Sequence, residues 1–247
     1  MKIFTVIKKQ LSGMNVMLSI TLLLFVLMYT GGLIVYQQQG FGNLQTLMNM
    51  LIDNAALIIA AAGMTMVIIT GGIDISVGSV IGLVCMMLAV MLQIHEINVW
   101  AAIAAVLVFG LVFGAVQGWL ISYMKIQPFI VTLAGLFFCR GLTAMISVNQ
   151  IAILSNETFL QMAKKNLYLP FGAVVNKRGI ELYPFVHPNV IIALVALLVI
   201  WFVLRYTRFG RSVYAIGGNE HSAMLMGLNV RRTKMFVYVL NGFCLLP

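Results

Sequence analysis

Long, nearly unbroken apolar runs alternate with short polar turns along the whole chain. Each run holds about the 20 apolar residues that an α-helix needs to cross a bilayer. None alternates apolar and polar residues as a membrane β-strand does. The predicted spanning segments are about Asn15–Tyr36, Leu44–Thr70, Val77–Gln93, Val99–Tyr123, Pro128–Val148 and Asn189–Leu204. A seventh begins near Thr233, and we expect an all-α polytopic membrane protein with residues 1–247 in one transmembrane domain.

The composition supports a lipid environment, because 62% of the 247 residues are hydrophobic and only 9% are charged. A soluble domain carries about 25% charged residues, so this chain could not cover a water-facing surface. The formal net charge is +9, but the basic residues lie mainly outside the apolar runs. There they favour the cytoplasmic side and anionic lipid headgroups. We therefore expect contact with membrane lipid and no nucleic-acid partner.

The distribution of Lys and Arg sets the predicted orientation. With the amino terminus inside and the first helix retained, the two short outer turns, residues 37–43 and 95–98, carry no basic residue. The long stretch 149–187 would then be an extracytoplasmic loop, which the charge rule constrains less. Residues 205–232 become a basic cytoplasmic loop. The basic residues on the inner side are Lys2, Lys8, Lys9, Lys125, Arg205, Arg208, Arg211, Arg231, Arg232 and Lys234.

A short helix is predicted inside the cytoplasmic loop, at about Glu220–Met226. Two glycines interrupt the chain, an asparagine can cap the next helix, a glutamate suits its first turn, and a later glycine can end it. The helix could expose Met and Leu as a docking surface for a soluble partner, or it could lie against the inner face of its own bundle. The residues concerned are Gly217, Gly218, Asn219, Glu220, Ala223 and Gly227.

A helix break is predicted at Gly71–Ser79, between the second and third spans. The two glycines can end a helix, and Asp74 or Ser76 can cap the helix that starts at Val77. Unwound backbone at membrane depth requires surrounding protein or a water-filled cavity. One interpretation places the break beside a translocation pathway; the other makes it a tight turn at the inner surface with Asp74 as a simple cap.

Two charges inside the predicted spans are costly to bury and therefore informative. Arg140 lies about 18 Å from the inner end of the fifth span and Asp53 about 13 Å from the outer end of the second. In a hydrocarbon core about 30 Å thick these depths nearly coincide, which predicts an ion pair. The alternative is that Asp53 lies at the interface and Arg140 snorkels. Our pathway candidates are Asp53, Asn54, Asp74, Ser76 and Arg140.

The fourth span contains Gly110, Gly114 and Gly118 at intervals of four residues. This spacing puts the three glycines on one helical face, where another helix can approach closely. We predict a packing role for them.

Three motifs resemble one known family. Gly71–Ser79 (GGIDISVGS), Pro128–Gly135 (PFIVTLAG) with Arg140-Gly141, and Gly210–Gly227 occur in the order found in ABC sugar-import permeases of the ribose, galactose, xylose and galactofuranose type. The galactofuranose type is the nearest in appearance. The resemblance covers about residues 43–241, and it makes Gly210–Gly227 the loop that couples to an ATPase.

This resemblance implies a transport subunit that is not an enzyme and has no cofactor. The implied partners are cytoplasmic ATP-binding subunits, a second permease subunit (identical or different) and an extracytoplasmic sugar-binding protein, at the bacterial inner membrane. The chain has no GxxxxGK[ST] motif to hold ATP phosphates. Family members continue through further spans, so we expect a carboxyl end that is shortened. An ion-coupled secondary transporter and an inactive permease fragment remain alternatives, since broken helices and intramembrane carboxylates also suit the former.

Overall fold

The computed structural model describes residues 16–37, 41–170, 172, 174–175 and 181–246. The helices are α1 Val16–Val35, α2 Leu44–Ile69, α3 Val77–Ala89, α4 Val99–Ser122, α5 Pro128–Ile146, α6 Glu157–Ala163, α7 Pro188–Tyr206, α8 Arg208–Gly218, α9 Glu220–Leu225 and α10 Val230–Cys244. A π-helical turn, Val90–Ile94, extends α3. Four two-residue strands are β1 Leu167–Tyr168, β2 Val174–Val175, β3 Glu181–Leu182 and β4 Phe185–Val186.

Six helices in the described part of the chain are long and apolar enough to cross a membrane: α1, α2, α3 with its π-turn, α4, α5 and α7. They coincide with the six predicted segments to within two residues at every end, and the all-α polytopic prediction is confirmed. The helix α10 corresponds to the predicted seventh segment, and it begins three residues before the start predicted at Thr233. The basic residues Lys2, Lys8 and Lys9 lie outside the described residues.

The chain forms two compact units. The first comprises Met1–Met50 and Tyr168–Phe185. Within it, the ring of Phe41 packs against Gly32, where an added Cβ would lie 2.9 Å from the ring. The strands β2 and β3 pair antiparallel, with Val174 opposite Leu182.

The second unit comprises Leu51–Leu167 and Val186–Pro247 and contains the features described below. Its tightest helix pair is α4 with α10, and the glycines of α4 allow this contact. A Cβ added at Gly114 would lie 2.5 Å from the carbonyl oxygen of Tyr238, and one added at Gly118 would lie 2.9 Å from that of Met235. The packing role predicted for the glycine face is confirmed.

The helix α8 corrects the sequence analysis, which interpreted residues 205–219 as loop. Thr207 caps it by accepting a hydrogen bond from the Gly210 amide at 3.2 Å, and Val213 and Ile216 are buried. Gly217 and Gly218 are helical and do not interrupt the chain where we expected. An added Cβ at Gly217 would overlap the carbonyl oxygen of Ile69, so this glycine serves close packing against the end of α2.

Residues 149–187 also contain more structure than a loop. Asn156 caps α6 by accepting a hydrogen bond from the Phe159 amide at 3.1 Å. The strand β1 pairs with β4. Whether this stretch is extracytoplasmic stays a prediction.

Candidate functional site

The short helix predicted after Gly218 is confirmed as α9, Glu220–Leu225. Asn219 has an extended backbone (φ −161°), and its side chain accepts a hydrogen bond from the Ser222 amide at 2.8 Å. Gly227 ends the helix in the left-handed region (φ 82°), where a residue with a Cβ is strained. The local sequence therefore fixes both ends of this helix.

One side of α9 is anchored and the other is exposed. Ala223 is fully buried and packs in one apolar cluster with Ile216 of α8 and Val230 of α10. The opposite side presents Met224, Leu225 and Met226, which are 54%, 76% and 69% exposed. Ala223 therefore contacts its own bundle, while the large apolar side chains face outward; docking of a soluble partner on them stays a prediction.

An ion pair also anchors α9. Lys234 Nζ of α10 lies 2.6 Å from Glu220 Oε2, and it is the single Lys or Arg to carboxylate bridge among the residues that the structure describes. Surface ion pairs contribute little to stability, about 0–1 kcal/mol. Its main effect is to fix the orientation of the first turn of α9 relative to α10.

A cavity of about 1120 Å³ opens beside α9, between the turn joining α4 to α5 and the start of α10. Its charged side chains are those of Lys125, Glu220, Arg231, Arg232 and Lys234. Since Glu220 already pairs with Lys234, the cavity carries an excess of positive charge. We refer to it as the basic cavity. Lys125 itself adopts a left-handed backbone (φ 56°), which is uncommon for a residue with a side chain.

The break after α2 occurs where the sequence predicted it. Gly71 has φ 75°, and its amide bonds the carbonyl of Ile68 at 3.0 Å, closing the last turn. The chain then folds inward, because Asp74 and Ser76 are only 3% and 0% exposed. The helix α3 begins at Val77 as expected.

Asp74 is not a simple cap, contrary to one interpretation of the sequence. Its Oδ1 accepts hydrogen bonds from the Ser76 amide (2.9 Å) and the Ser76 hydroxyl (2.6 Å). Ser76 makes no side-chain cap bond with the first turn of α3. Both side chains are used instead in contacts with one another and with other helices. Burial raises the pKa of the Asp74 carboxyl, which lies between two spans, and the hydrogen bonds from Ser76 and Asn241 oppose that shift.

Two amide side chains that the sequence analysis missed complete this site. Gln117 of α4 donates from Nε2 to the Ser76 hydroxyl at 3.0 Å. Asn241 of α10 donates from Nδ2 to Asp74 Oδ2 at 2.7 Å. Asp74, Ser76, Gln117 and Asn241 are all at least 95% buried, and we call them the buried polar cluster. In the sequence, Gln117 and Asn241 could have been noticed only as a single amide side chain within each of two apolar segments.

The predicted ion pair between Asp53 and Arg140 is wrong. Both side chains are exposed, and no bridge joins them among the described residues. Residue counting gives the depth of each charge along its helix, but not the face of the helix on which the charge lies. Asn54 is likewise exposed on α2. Three of the five pathway candidates thus lie on outer helix surfaces, and two lie in the buried polar cluster.

These features define a multi-pass all-α membrane protein with a short, partly exposed helix next to its bundle. A family described as "Branched-chain amino acid transport system / permease component" matches residues 46–244. The chain belongs to this permease family, and it is a multi-pass protein of the bacterial inner membrane.

Curated relatives support the same assignment. The chain is 39% identical over 227 residues to the inner membrane ABC transporter permease protein YjfF of Escherichia coli, covering 92% of this chain and 64% of the relative. It is 34% identical to the fructose import permease protein FruG of Bifidobacterium longum, covering 78% and 55%. It is 36% identical to the ribose import permease protein RbsC of Escherichia coli, covering 82% and 59%.

The chain thus spans between 55% and 64% of the length of these three relatives. No solved structure matches it.

Proposed function

We propose that this chain is the membrane-spanning subunit of an ATP-driven monosaccharide importer. It forms part of the translocation pathway and couples to a separate ATPase subunit. The observation that carries the proposal is α9, a short helix that is anchored on one side and apolar on the other. Support also comes from relatives whose names describe import of fructose and ribose.

The geometry of α9 suits the transmission of force. Met224, Leu225 and Met226 offer an apolar surface, and such exposed patches mark interaction sites. Because Ala223 and the Glu220–Lys234 pair hold the other side of α9, displacement of the helix is passed to α8 and α10. An ATPase that grips the exposed side chains would therefore move the bundle.

The basic cavity gives the docking surface a second component. Lys125, Arg231 and Arg232 lie within reach of a partner seated on α9. Acidic side chains on the ATPase would complement them and guide its orientation, as charge complementarity does at other interfaces.

The exposed charges on the spanning helices support a second permease subunit or a water-filled pathway. Arg140 on α5 and Asp53 on α2 would each cost at least about 2.5–3.5 kcal/mol against lipid. Their surfaces therefore face protein or water in the assembled transporter, together with Asn54. Asp74 and Ser76 would reach the pathway only after the break moves.

A soluble binding protein on the outer side would deliver the sugar and select it. The galactofuranose type remains our prediction for the sugar. The relatives' names refer to ribose, fructose, galactose and xylose.

The docking proposal is tested by placing a charge on α9. In Leu225→Glu, a carboxylate replaces an apolar contact worth about 1.5–3 kcal/mol, so the affinity for the ATPase should fall at least tenfold. Affinity is measured between the purified membrane protein and its ATPase. Leu154→Glu is the control, because Leu154 is similarly exposed (74%) but lies in residues 149–187. Unchanged affinity in Leu225→Glu, or an equal loss in the control, contradicts docking at α9.

The energy source of uptake distinguishes the importer from an ion-coupled secondary transporter. Uptake into cells that survives ATP depletion but collapses with the ion gradient would favour a secondary transporter. For the importer we expect uptake to stop on ATP depletion and to survive collapse of the ion gradient. Binding of the ATPase without uptake under either condition would favour an inactive fragment.

A further inference from the structure

The buried polar cluster joins three separate elements at one point. Asp74 and Ser76 come from the break before α3, Gln117 comes from α4, and Asn241 comes from α10. The hydrogen bonds that link them are 2.6–3.0 Å long. Hydrogen bonds between buried polar groups are stronger than those in water, so these bonds tie together the elements they connect.

The carboxylate of Asp74 is held by neutral donors alone. No Lys or Arg bridges it in the described part of the chain. Breaking such a bond leaves a buried charge without its partner, which costs more than the bond itself contributes. Asp74 and Asn241 are therefore strongly held together.

Asn241 is confined as well as bonded. A Cβ added at Gly63 of α2 would lie 2.9 Å from Asn241 Oδ1 and 2.7 Å from Cys244 Cβ, so α2 and α10 are in close contact here. Asn241 Oδ1 has no hydrogen-bond partner among the described residues. The amide is thus positioned by its single bond to Asp74 and by packing.

The helix α10 connects this cluster to the docking helix. It starts at Val230, which packs with Ala223 of α9, and its Lys234 pairs with Glu220 of α9. Along its length, α10 lies against the glycine face of α4, and α4 also supplies Gln117. The α4–α10 pair therefore holds the break through two side chains, while the start of α10 holds α9.

We propose that Asp74 and Asn241 are positioning residues that make the break and the start of α3 follow α10 when the ATPase displaces α9. Their hydrogen bond is the connection through which the docking helix controls the region between the second and third spans. This inference rests on the proposed function, because it needs a partner that moves α9.

The test exchanges the two residues. In Asn241→Asp the amide donor is replaced by a second buried carboxyl group, and the two carboxyl groups can keep a contact by sharing one proton. In the double variant, Asp74→Asn with Asn241→Asp, the new amide at position 74 can still accept from Ser76 through its oxygen. Its nitrogen can donate to the new carboxylate at position 241. The double exchange therefore restores all three hydrogen bonds of residue 74, with the donor and acceptor of the bond between positions 74 and 241 reversed. Asn241→Leu removes this bond without adding a titratable group, and it is the variant in which loss of the connection is judged.

The measurement is backbone hydrogen exchange in the full transporter complex, with and without a non-hydrolysable ATP analogue. In the unmodified chain the analogue should change exchange both in residues 220–226 and in residues 72–79. In Asn241→Leu the change at 220–226 should persist and the change at 72–79 should be lost. The double variant should recover the change at 72–79. The control Phe236→Leu, at an exposed position on α10, should behave like the unmodified chain.

A second readout is the amount of sugar transported per ATP hydrolysed, with D-ribose, D-galactose, D-xylose and D-fructose as probes. It should fall about tenfold in Asn241→Leu, as expected for a lost charged hydrogen bond, and recover in the double variant. Persistence of the change at 72–79 in a folded Asn241→Leu protein overturns the inference. The inference is also overturned if a folded double variant recovers neither the change at 72–79 nor the amount of sugar transported per ATP. If the unmodified chain shows no change at 220–226, the proposed function fails instead.

Discussion

At the scale of single residues, Asn219 is the side chain that sets the start of α9. Asn219→Ala removes the acceptor for the Ser222 amide, and the loss of an N-cap costs about 1 kcal/mol. Because α9 has only six residues, this destabilisation should weaken ATPase affinity roughly fivefold. Asn219→Ser retains an acceptor and should keep most of the affinity. The affinity is measured by titrating the ATPase against the purified variant.

A matched control exists at another cap. Asn98 accepts a hydrogen bond from the Trp100 amide at 2.9 Å and caps α4 in the same manner. Asn98→Ala should lower thermal stability but leave ATPase affinity unchanged. If both alanine variants bind the ATPase equally well, the order of α9 does not limit docking.

Sequence reasoning at this scale succeeded where the interaction is local and failed where it is not. Asn219 was found because a cap bonds an amide three residues away. Gln117 and Asn241 were missed because their partners lie 41 and 167 residues away in sequence. The pairing of Asp53 with Arg140 failed for a related reason. Depth along a helix follows from residue counting, but the direction in which a side chain points depends on tertiary packing.

At the scale of elements, the packing of α4 on α10 gives a direct test. In Gly114→Ala the new Cβ would lie 2.5 Å from the Tyr238 carbonyl oxygen and 3.1 Å from Val239 Cα. Backbone atoms cannot move aside as a side chain can, so the helices must separate. Overpacking of this kind costs about 1–3 kcal/mol. We expect a clearly lower Tm in detergent, measured by thermal unfolding.

Gly141 of α5 provides the comparison for that substitution. An added Cβ there meets nothing within 4 Å, and alanine is favoured over glycine in a helix by about 0.5–1 kcal/mol. Gly141→Ala should therefore leave the Tm unchanged or raise it. A similar loss of stability in both variants would show that the α4–α10 contact is not specially tight.

Some helices could be predicted from the sequence and others could not. The long spans followed from apolar run length, which depends on the bilayer and not on neighbouring helices. The helix α8 was missed because Gly217 and Gly218 looked like interruptions. Gly217 instead allows close approach of the Ile69 carbonyl, as Gly210 does for that of Leu204, while a Cβ added at Gly218 would meet nothing within 4 Å. Glycine spacing alone does not distinguish a break from a close contact.

At the scale of the whole molecule, the orientation determines whether α9 can meet an ATPase at all. In the part of the chain that the structure describes, six helices long and apolar enough to cross a membrane precede it, and an even number of crossings returns the chain to the side of its amino terminus. The absence of Lys and Arg from the turns 37–43 and 95–98 predicts that this side is the cytoplasm. Together these two features predict that α9 faces the cell interior and Leu154 the exterior.

Cysteine labelling in intact cells tests that orientation. Cys85 is exposed and is first replaced by Ser, while Cys139 and Cys244 are buried and can stay. A membrane-impermeant thiol reagent added outside should label Leu154→Cys and leave Leu225→Cys unlabelled until the cells are opened. Both positions are exposed, so a difference between them reports sidedness and not accessibility. Labelling of Leu225→Cys from outside would place α9 beyond the reach of any cytoplasmic ATPase, and the importer mechanism would have to be abandoned.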